Sequence, residues 1–127
     1  MSIQFTDICF ITEDVLKLRA FYEAILEVKA EGNEIHSGLV LDGFAFTFDH
    51  VDIAKYNPIF SYVKAGGANN VIVSLNVDDV DAEYIRLLSL GAKMINEPTT
   101  HPWGARSFQF RDPDGNILNF RSFPKGG

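Results

Sequence analysis

Cysteine is nearly absent from this chain of 127 residues, where Cys9 is the single example. One thiol excludes an internal disulfide and is typical of a reducing compartment, so we expect a cytoplasmic protein. Long apolar runs are also missing, because no stretch approaches the roughly 18 consecutive apolar residues of a membrane-spanning helix. The first residues lack the basic and apolar segments of a secretory leader. We therefore expect no membrane partner and no export.

Basic residues are scarce as well, with 11 Lys and Arg against 17 Asp and Glu, for a net charge of −6. This balance argues against a nucleic-acid partner, which needs a basic face. It suits a cationic ligand, although moderate acidity is also what keeps an ordinary protein soluble. The hydrophobic fraction of 46% and the charged fraction of 22% are those of a folded globular protein.

Two stretches of the chain resemble each other, Asp7–Val15 and Ile72–Val80, and they are offset by 65 residues. In each, an alternating pattern of β-forming residues is followed by the acidic residues that open a helix. The repetition predicts one structural module used twice.

The predicted fold is α+β, with two βαβββ modules in tandem forming a curved mixed sheet. The modules cover about residues 1–50 and 70–123 of a single domain, 1–127, and a connector at 51–69 contains Pro58 and Gly66-Gly67. The first module is predicted to contain a helix that starts at Thr12-Glu13-Asp14 and strands at residues 5–11, 28–31, 35–41 and 44–48. Asp42-Gly43 predicts a two-residue hairpin turn between its last two strands.

The second module repeats this order. Asp78 is expected to cap a helix that continues through Leu90, and Gly91 is expected to end it. The strands are predicted at residues 71–77, 92–96, 105–111 and 117–123. The turn between the last two, Arg111–Asn116, combines Pro, Gly and Asp residues that favour a tight reversal.

With these motifs the chain resembles the glyoxalase/bleomycin-resistance/dioxygenase superfamily, also called vicinal oxygen chelate proteins. The resemblance covers nearly the whole chain and depends on five motifs: Glu13-Asp14-Val15, Phe21-Tyr22-Glu23, the acidic run Val77–Asp81, Trp103-Gly104 and the turn Arg111–Asn116. It implies paired modules whose sheets enclose a cleft, and a homodimer. The same scaffold carries lyases, dioxygenases, epimerases and drug-binding proteins, so it does not by itself decide function.

Enzymes of this superfamily usually hold a divalent metal with His, Glu or Gln on the first and last strands of each module. Alignment to the motifs places Asp7, Thr47, Ile72 and Asn119 at the four positions. Isoleucine has no donor atom, and Thr and Asn are weak neutral ligands for such an ion. Shifting the second-module alignment by one residue introduces only apolar side chains. We therefore predict no metal and no cofactor.

Alternation along the strands then places a row of polar side chains on the concave face of the sheets. With two loop residues that border the cleft in drug-binding relatives, these form the predicted ligand-binding set: Asp7, Cys9, Thr47, Asp49, Asn76, Trp103, Arg106, Asn119 and Arg121. Other roles stay open, because the face could meet water or a dimer partner, Trp103 could anchor its loop, and Arg106 could pair with an acid. The histidines, His36, His50 and His101, are interpreted as surface or structural residues.

The sequence thus predicts a protein that binds a small organic ligand, with a drug among the candidates, in a metal-free cleft. One alternative is an enzyme, either a glyoxalase-like lyase or isomerase or a ring-cleaving dioxygenase, with unknown catalytic residues. A metal-free mechanism would then have to use Asp7 or Asp49 as a base. Another is a protein-interaction module that uses the same surface, which a large exposed aromatic patch around Tyr56–Tyr62 would favour.

Overall fold

A computed structural model describes residues 2–123, which form two compact units, 2–66 and 67–123. The division falls at Gly66-Gly67, inside the predicted connector. Each unit combines one helix with a mixed sheet, so the predicted α+β class is confirmed. Within residues 2–123, neither helix is long and apolar enough to cross a membrane.

The first unit has a four-stranded sheet in the order β1-β4-β3-β2. Its strands are β1 (Asp7–Thr12), β2 (Glu31–Gly32), β3 (His36–Leu41) and β4 (Phe44–His50). Strand β1 runs parallel to β4, and the other pairs are antiparallel. The β3–β4 hairpin turns at Asp42-Gly43, as predicted, and both residues have positive φ, 53° and 78°. Two positive φ angles give the turn whose twist matches that of the flanking strands.

Helix α1 (Val15–Leu26) packs on this sheet through a buried stripe at Val15, Leu18, Tyr22 and Ile25. The helix begins one residue after Asp14, whose side chain accepts a hydrogen bond from the Lys17 backbone N–H at 3.1 Å. The prediction of Thr12 as the start was therefore wrong. Thr12 is buried at the end of β1, where its hydroxyl accepts from the Asp14 N–H.

The aromatic core of the first unit centres on Tyr22. Its ring lies 5.2 to 5.6 Å from the rings of Phe10, Phe46 and Phe48, which face the helix on β1 and β4. All four side chains are buried. The alternate residues of the same strands therefore point to the other side of the sheet.

The second unit has strands β5 (Ile72–Asn76), β6 (Lys93–Met94), β7 (Thr99–Thr100), β8 (Arg106–Arg111) and β9 (Ile117–Ser122). Their order is β5-β9-β8-β6, with β7 also paired to β8. The two-residue β7 was not predicted, and the βαβββ order is thus extended by one short strand. Strand β5 runs parallel to β9, as β1 does to β4.

Helix α2 (Val80–Ser89) is capped by Asp79 and not by the predicted Asp78, since the Asp79 carboxylate accepts from the Ala82 N–H at 3.1 Å. Val80 and Leu87 are its buried residues, and the unit's core also contains Phe108, Phe110, Leu118 and Phe120. Gly91 follows the helix with φ of 81°, in agreement with its predicted role as the stop.

The Arg111–Asn116 turn is organised by the buried carboxylate of Asp112. One oxygen accepts from the backbone N–H groups of Asp114 and Asn116, both at 2.9 Å, and the other accepts from the Asn116 side chain at 2.8 Å. Gly67 lies against this turn, and a Cβ atom at that position would come within 2.5 Å of the Asn116 nitrogen. Only glycine allows so close an approach of two backbones.

The connector is more ordered than the sequence indicated, because it contains two short 3-10 helices, Val51–Lys55 and Pro58–Phe60. Tyr56 and Tyr62 are 71% and 74% exposed, whereas Phe60 is half-buried. Phe60 therefore has the partial burial of a loop anchor, and the two tyrosines lie open to solvent.

Candidate functional site

The polar face of the first unit lies opposite its aromatic core. Asp7 and Cys9 of β1 alternate with buried Phe10, and Thr47 and Asp49 of β4 alternate with buried Phe46 and Phe48. Cys9 and Thr47 are direct neighbours in the parallel β1–β4 pair. These four members of the predicted ligand set therefore share one side of one sheet.

Asp49 joins two side chains on this face. Its Oδ2 accepts a hydrogen bond from the Cys9 thiol at 3.4 Å, and its Oδ1 contacts Nδ1 of His36. His36 lies directly across from Asp49 in the β3–β4 pair. The histidine side chain is 63% exposed, whereas that of Asp49 is 16% exposed. His36 is not among the predicted site residues, because its partnership with Asp49 depends on the register between two strands.

The Cys9 thiol is held in its protonated form. Partial desolvation of the thiol is the largest cause that raises its pKa to about 11, and the carboxylates of Asp49 and Asp7 add to the shift. The hydrogen bond with Thr47 opposes the shift but does not reverse it. A thiol with so high a pKa is a poor nucleophile near neutral pH. Cys9 thus serves as a donor to Asp49.

The polar face of the second unit has a continuous row of neutral hydrogen-bonding groups. Asn119 of β9 donates to the Ser74 hydroxyl at 3.1 Å and accepts from the Gln109 amide at 2.6 Å. Gln109 of β8 also donates to the Ser107 hydroxyl at 3.2 Å, and Ser107 in turn contacts Nε2 of His101 at 2.7 Å. The row therefore joins three strands to the loop that follows β7.

Asn96 fixes the middle of this row. Its amide donates to the Gln109 side-chain oxygen at 2.5 Å, and its own oxygen accepts from the Gln109 backbone N–H at 2.8 Å. Both ends of the Gln109 amide are therefore engaged. Of this row, the predicted ligand set contained only Asn119, although Ser107 and Gln109 alternate with Phe108 and Phe110 by the same period of two.

Trp103 covers the loop end of the row. Its ring stacks on that of His101, with centroids 4.6 Å apart and planes inclined by only 4°. A tight turn holds the pair together, because the Gly104 N–H donates to the His101 carbonyl and Gly104 has φ of 100°. Trp103 remains 71% exposed, so much of the indole is open to a ligand.

The last two predicted residues on this face are Asn76 and Arg121, which are paired across β5 and β9. The Arg121 Nε donates to the Asn76 side-chain oxygen at 3.2 Å, and the guanidinium lies 5.5 Å from the ring centre of Phe123. Arg121 forms no ion pair with any carboxylate of residues 2–123. It therefore adds a positive charge beside the neutral row.

Arg106 lies on the opposite side of β8 from Ser107 and Gln109. Its guanidinium makes two hydrogen bonds to Asp81 of the α2 first turn, at 2.8 and 3.0 Å, and a third to Thr100. The hydrogen bond from Arg106 lowers the pKa of the Asp81 carboxyl, and the same contact raises the pKa of Arg106. This is the exposed ion pair that the sequence left open as an alternative role for this residue.

The four positions aligned with the family's metal ligands do not form a donor set in either unit. In the first, the Asp7 carboxylate accepts from the Thr6 hydroxyl, and the Thr47 hydroxyl donates to the Ile8 carbonyl. In the second, Ile72 has no donor atom, and the Asn119 amide is engaged in the polar row. Over residues 2–123, no group of three or more His, Cys, Asp or Glu side chains is arranged to hold a metal ion. These residues do not fit a divalent metal site.

The repeated order of strand, helix and strands, with each first strand parallel to the last, defines an α+β protein of two related modules. A model of the glyoxalase/bleomycin resistance protein/dioxygenase superfamily matches residues 4–120. The chain belongs to this superfamily.

Individual proteins resemble this chain in sequence or in fold. An uncharacterized protein of Bacillus subtilis strain 168, YwbC, is 30% identical over 103 residues, which are 79% of this chain and 82% of that protein. A crystal structure from Nocardioides, described as a glyoxalase/bleomycin resistance protein/dioxygenase, has a TM-score of 0.79 and 21% identity, and covers 100% of this chain and 87% of its own. A structure described as a family enzyme, from Burkholderia phytofirmans PsJN, has a TM-score of 0.82 and 17% identity over 94% of this chain and 98% of its own. At these identities the structures show a shared fold.

Proposed function

We propose that this protein binds a small planar organic ligand, without a metal, on the polar face of its second unit. The observation that carries the proposal is the hydrogen-bonded row from Ser74 through Asn119, Gln109 and Ser107 to His101, which ends at the exposed Trp103 ring. Ligand sites commonly combine an aromatic or apolar surface with a few placed polar groups that set orientation.

Trp103 and the amides of the polar row contribute to binding in different ways. Trp103 offers a flat surface on which a ring can stack, and its own stacking on His101 keeps the indole in one orientation. The amides of Asn119 and Gln109 are held by their partners, so their remaining hydrogen-bonding capacity points in fixed directions. Pre-ordered groups bind more tightly, because less conformational freedom is lost on binding.

The chemical class of the ligand follows from charge. The Ser, Asn and Gln side chains of the row carry no charge, whereas the chain has a net charge of −6. That field concentrates cations near the protein, so we propose planar aromatic cations that bind with their charged group directed away from the guanidinium of Arg121. A role of the bleomycin-resistance type, in which a drug is sequestered and left chemically unchanged, agrees with the lack of a donor set at the four positions aligned with the family's metal ligands.

Fluorescence titration tests this proposal directly, because Trp103 is the only tryptophan. Bleomycin and a panel of planar heteroaromatic cations are titrated into the purified full chain, and saturable quenching is expected. Trp103→Ala should weaken binding of the same compound, measured by calorimetry, by about tenfold, since an aromatic pair contributes roughly 0.5–1.5 kcal/mol beyond area burial.

Tyr62→Ala is the matched control, because Tyr62 is an aromatic residue of similar exposure in the other unit. It should bind like the wild type. Equal weakening by both variants, or no saturable quenching by any compound, would contradict the proposed site. The metal-free part is tested by elemental analysis and by thermal shifts with nickel, zinc, manganese and ferrous ions. Stoichiometric metal, with stabilisation that rises with its concentration, would contradict it.

A further inference from the structure

The strongest feature outside the proposed ligand site is the cluster of His36, Asp49 and Cys9 on the polar face of the first unit. We propose that His36 and Asp49 form a general-base dyad that removes a proton from a weakly acidic C–H group of a small molecule bound on this face. This activity goes beyond ligand binding and uses residues of the other unit.

The local fold fixes the position of His36. Gly32 has φ of 123°, and a Cβ atom there would lie 2.2 Å from the His36 carbonyl oxygen, so the chain turns tightly at this point. The Asn33 side chain accepts from the His36 backbone N–H at 3.0 Å, and the Asn33 N–H donates back to the His36 carbonyl. The histidine backbone is thus held from both sides.

Asp49 fixes the imidazole. Because its carboxylate contacts Nδ1, it favours the tautomer with the hydrogen on that nitrogen. The lone pair is then on Nε2, which has no hydrogen-bond partner among residues 2–123 and belongs to a side chain that is 63% exposed. This nitrogen is available to a substrate.

Cys9 fixes the carboxylate in turn. The thiol donates to Oδ2 at 3.4 Å, which leaves Oδ1 for the histidine. The sulfur lies on the far side of Asp49 from the imidazole and stays protonated, so the dyad does not activate it as a nucleophile. The free nitrogen of the imidazole can therefore act as a base, and we assign it direct proton transfer from the substrate.

Removal of the proton requires no reactant other than the substrate and the dyad. The C–H bond of the substrate breaks, its electron pair stays on the substrate, and Nε2 takes the proton. The resulting imidazolium is stabilised by the negative charge of Asp49. The proton then returns to another atom of the substrate or leaves to water, which restores the dyad.

The test uses 5-nitrobenzisoxazole, a general probe whose ring opens when a base removes its C–H proton, and follows the coloured product with the full chain. His36→Gln and Asp49→Asn should each lower the protein-dependent rate at least about tenfold, since general bases commonly contribute 10²–10⁴-fold. The double variant should lose little more than either single variant, because residues that act as a unit are not additive.

His50→Gln is the matched control. His50 is a histidine of the same unit that lies near a carboxylate, but its Nδ1 accepts a backbone hydrogen bond from Asp52. This variant should retain the wild-type rate. Equal rates for wild type and His36→Gln, at whatever level, would overturn the proposal. If Asp49→Asn does not fold, the comparison of His36→Gln with the wild type is sufficient to test the proposal.

A second readout separates proton transfer from a structural role. Nitrogen NMR of the neutral wild-type imidazole should show the hydrogen on Nδ1 of His36, and Asp49→Asn should shift the ring toward a mixture of tautomers. A wild-type ring with its hydrogen on Nε2 would overturn the assignment, because that nitrogen could not then accept a proton.

Discussion

Gln109 is the centre of the polar row. Its replacement tests whether the row stabilises the fold and contributes to ligand binding. Gln109→Leu keeps a side chain of similar size on β8. It removes hydrogen bonds to Asn96, Ser107 and Asn119, which have lengths of 2.5, 3.2 and 2.6 Å. The backbone hydrogen bond from Gln109 to Asn96 can remain.

The expected cost follows from these contacts. A protein hydrogen bond contributes a net of about 0.5–1.5 kcal/mol to stability. Loss of three would cost about 1.5–4.5 kcal/mol if water could not reach the partners left behind. Gln109 and Asn119 are only half-buried and Asn96 is exposed, so water can replace part of what is lost. We expect the free energy of unfolding to fall by about 1–2 kcal/mol, and affinity for any ligand of the second unit to fall in parallel.

Urea denaturation followed by circular dichroism measures the first effect, and calorimetric titration measures the second. Gln4→Leu, at the chain's other glutamine, is the control, because Gln4 is exposed and lies outside every strand. It should leave both quantities unchanged. If Gln109→Leu unfolds at the same urea concentration as the wild type and binds the same ligands with the same affinity, the row contributes neither to stability nor to binding.

Two further predictions concern Cys9 and the α2 cap. Because the folded thiol has a pKa of about 11 against an ordinary value of 9.0, the unfolded chain loses its proton first, and stability should fall as pH rises from about 9 to 11. Denaturation at several pH values measures this loss, which should vanish in Cys9→Ala; persistence of the same loss in that variant would contradict the assignment. Asp79→Ala should lower the free energy of unfolding by about 1 kcal/mol through loss of the α2 cap, whereas Asp78→Ala should change it much less. Equal losses in the two variants would show that the cap is wrongly placed.

The parts of the fold that could be predicted were those with local causes. The hairpin at Asp42-Gly43 depends on two residues that tolerate positive φ, and the stripe from Val15 to Ile25 depends on helical spacing. Helix starts were less certain, because Thr12 and Asp14, or Asp78 and Asp79, carry similar capping groups. The hydrogen bonds that Asp14 and Asp79 accept from the first helical turns, and the buried environment of Thr12, distinguish them.

The site was harder to predict, because its contacts cross strands. The partnership of His36 with Asp49 follows from the β3–β4 register, and that of Gln109 with Asn96 joins a strand to a loop. Alternation alone placed Cys9 and Thr47 on one face, but it could not reveal that the Cys9 thiol would donate to Asp49. The stack of His101 on Trp103 depends on the turn at Gly104.

Asp49 and Arg121 occupy corresponding places in the two units. Each lies two residues beyond the strand position that pairs with Cys9 or Ser74 of the first strand of its unit. One is a carboxylate that binds a histidine and a thiol, and the other is a guanidinium that binds an amide. The two halves are therefore alike in backbone and opposite in charge at the same point. A chimera built from two copies of either half would keep the fold of a unit. It would have two carboxylates or two guanidinium groups at this point instead of one of each.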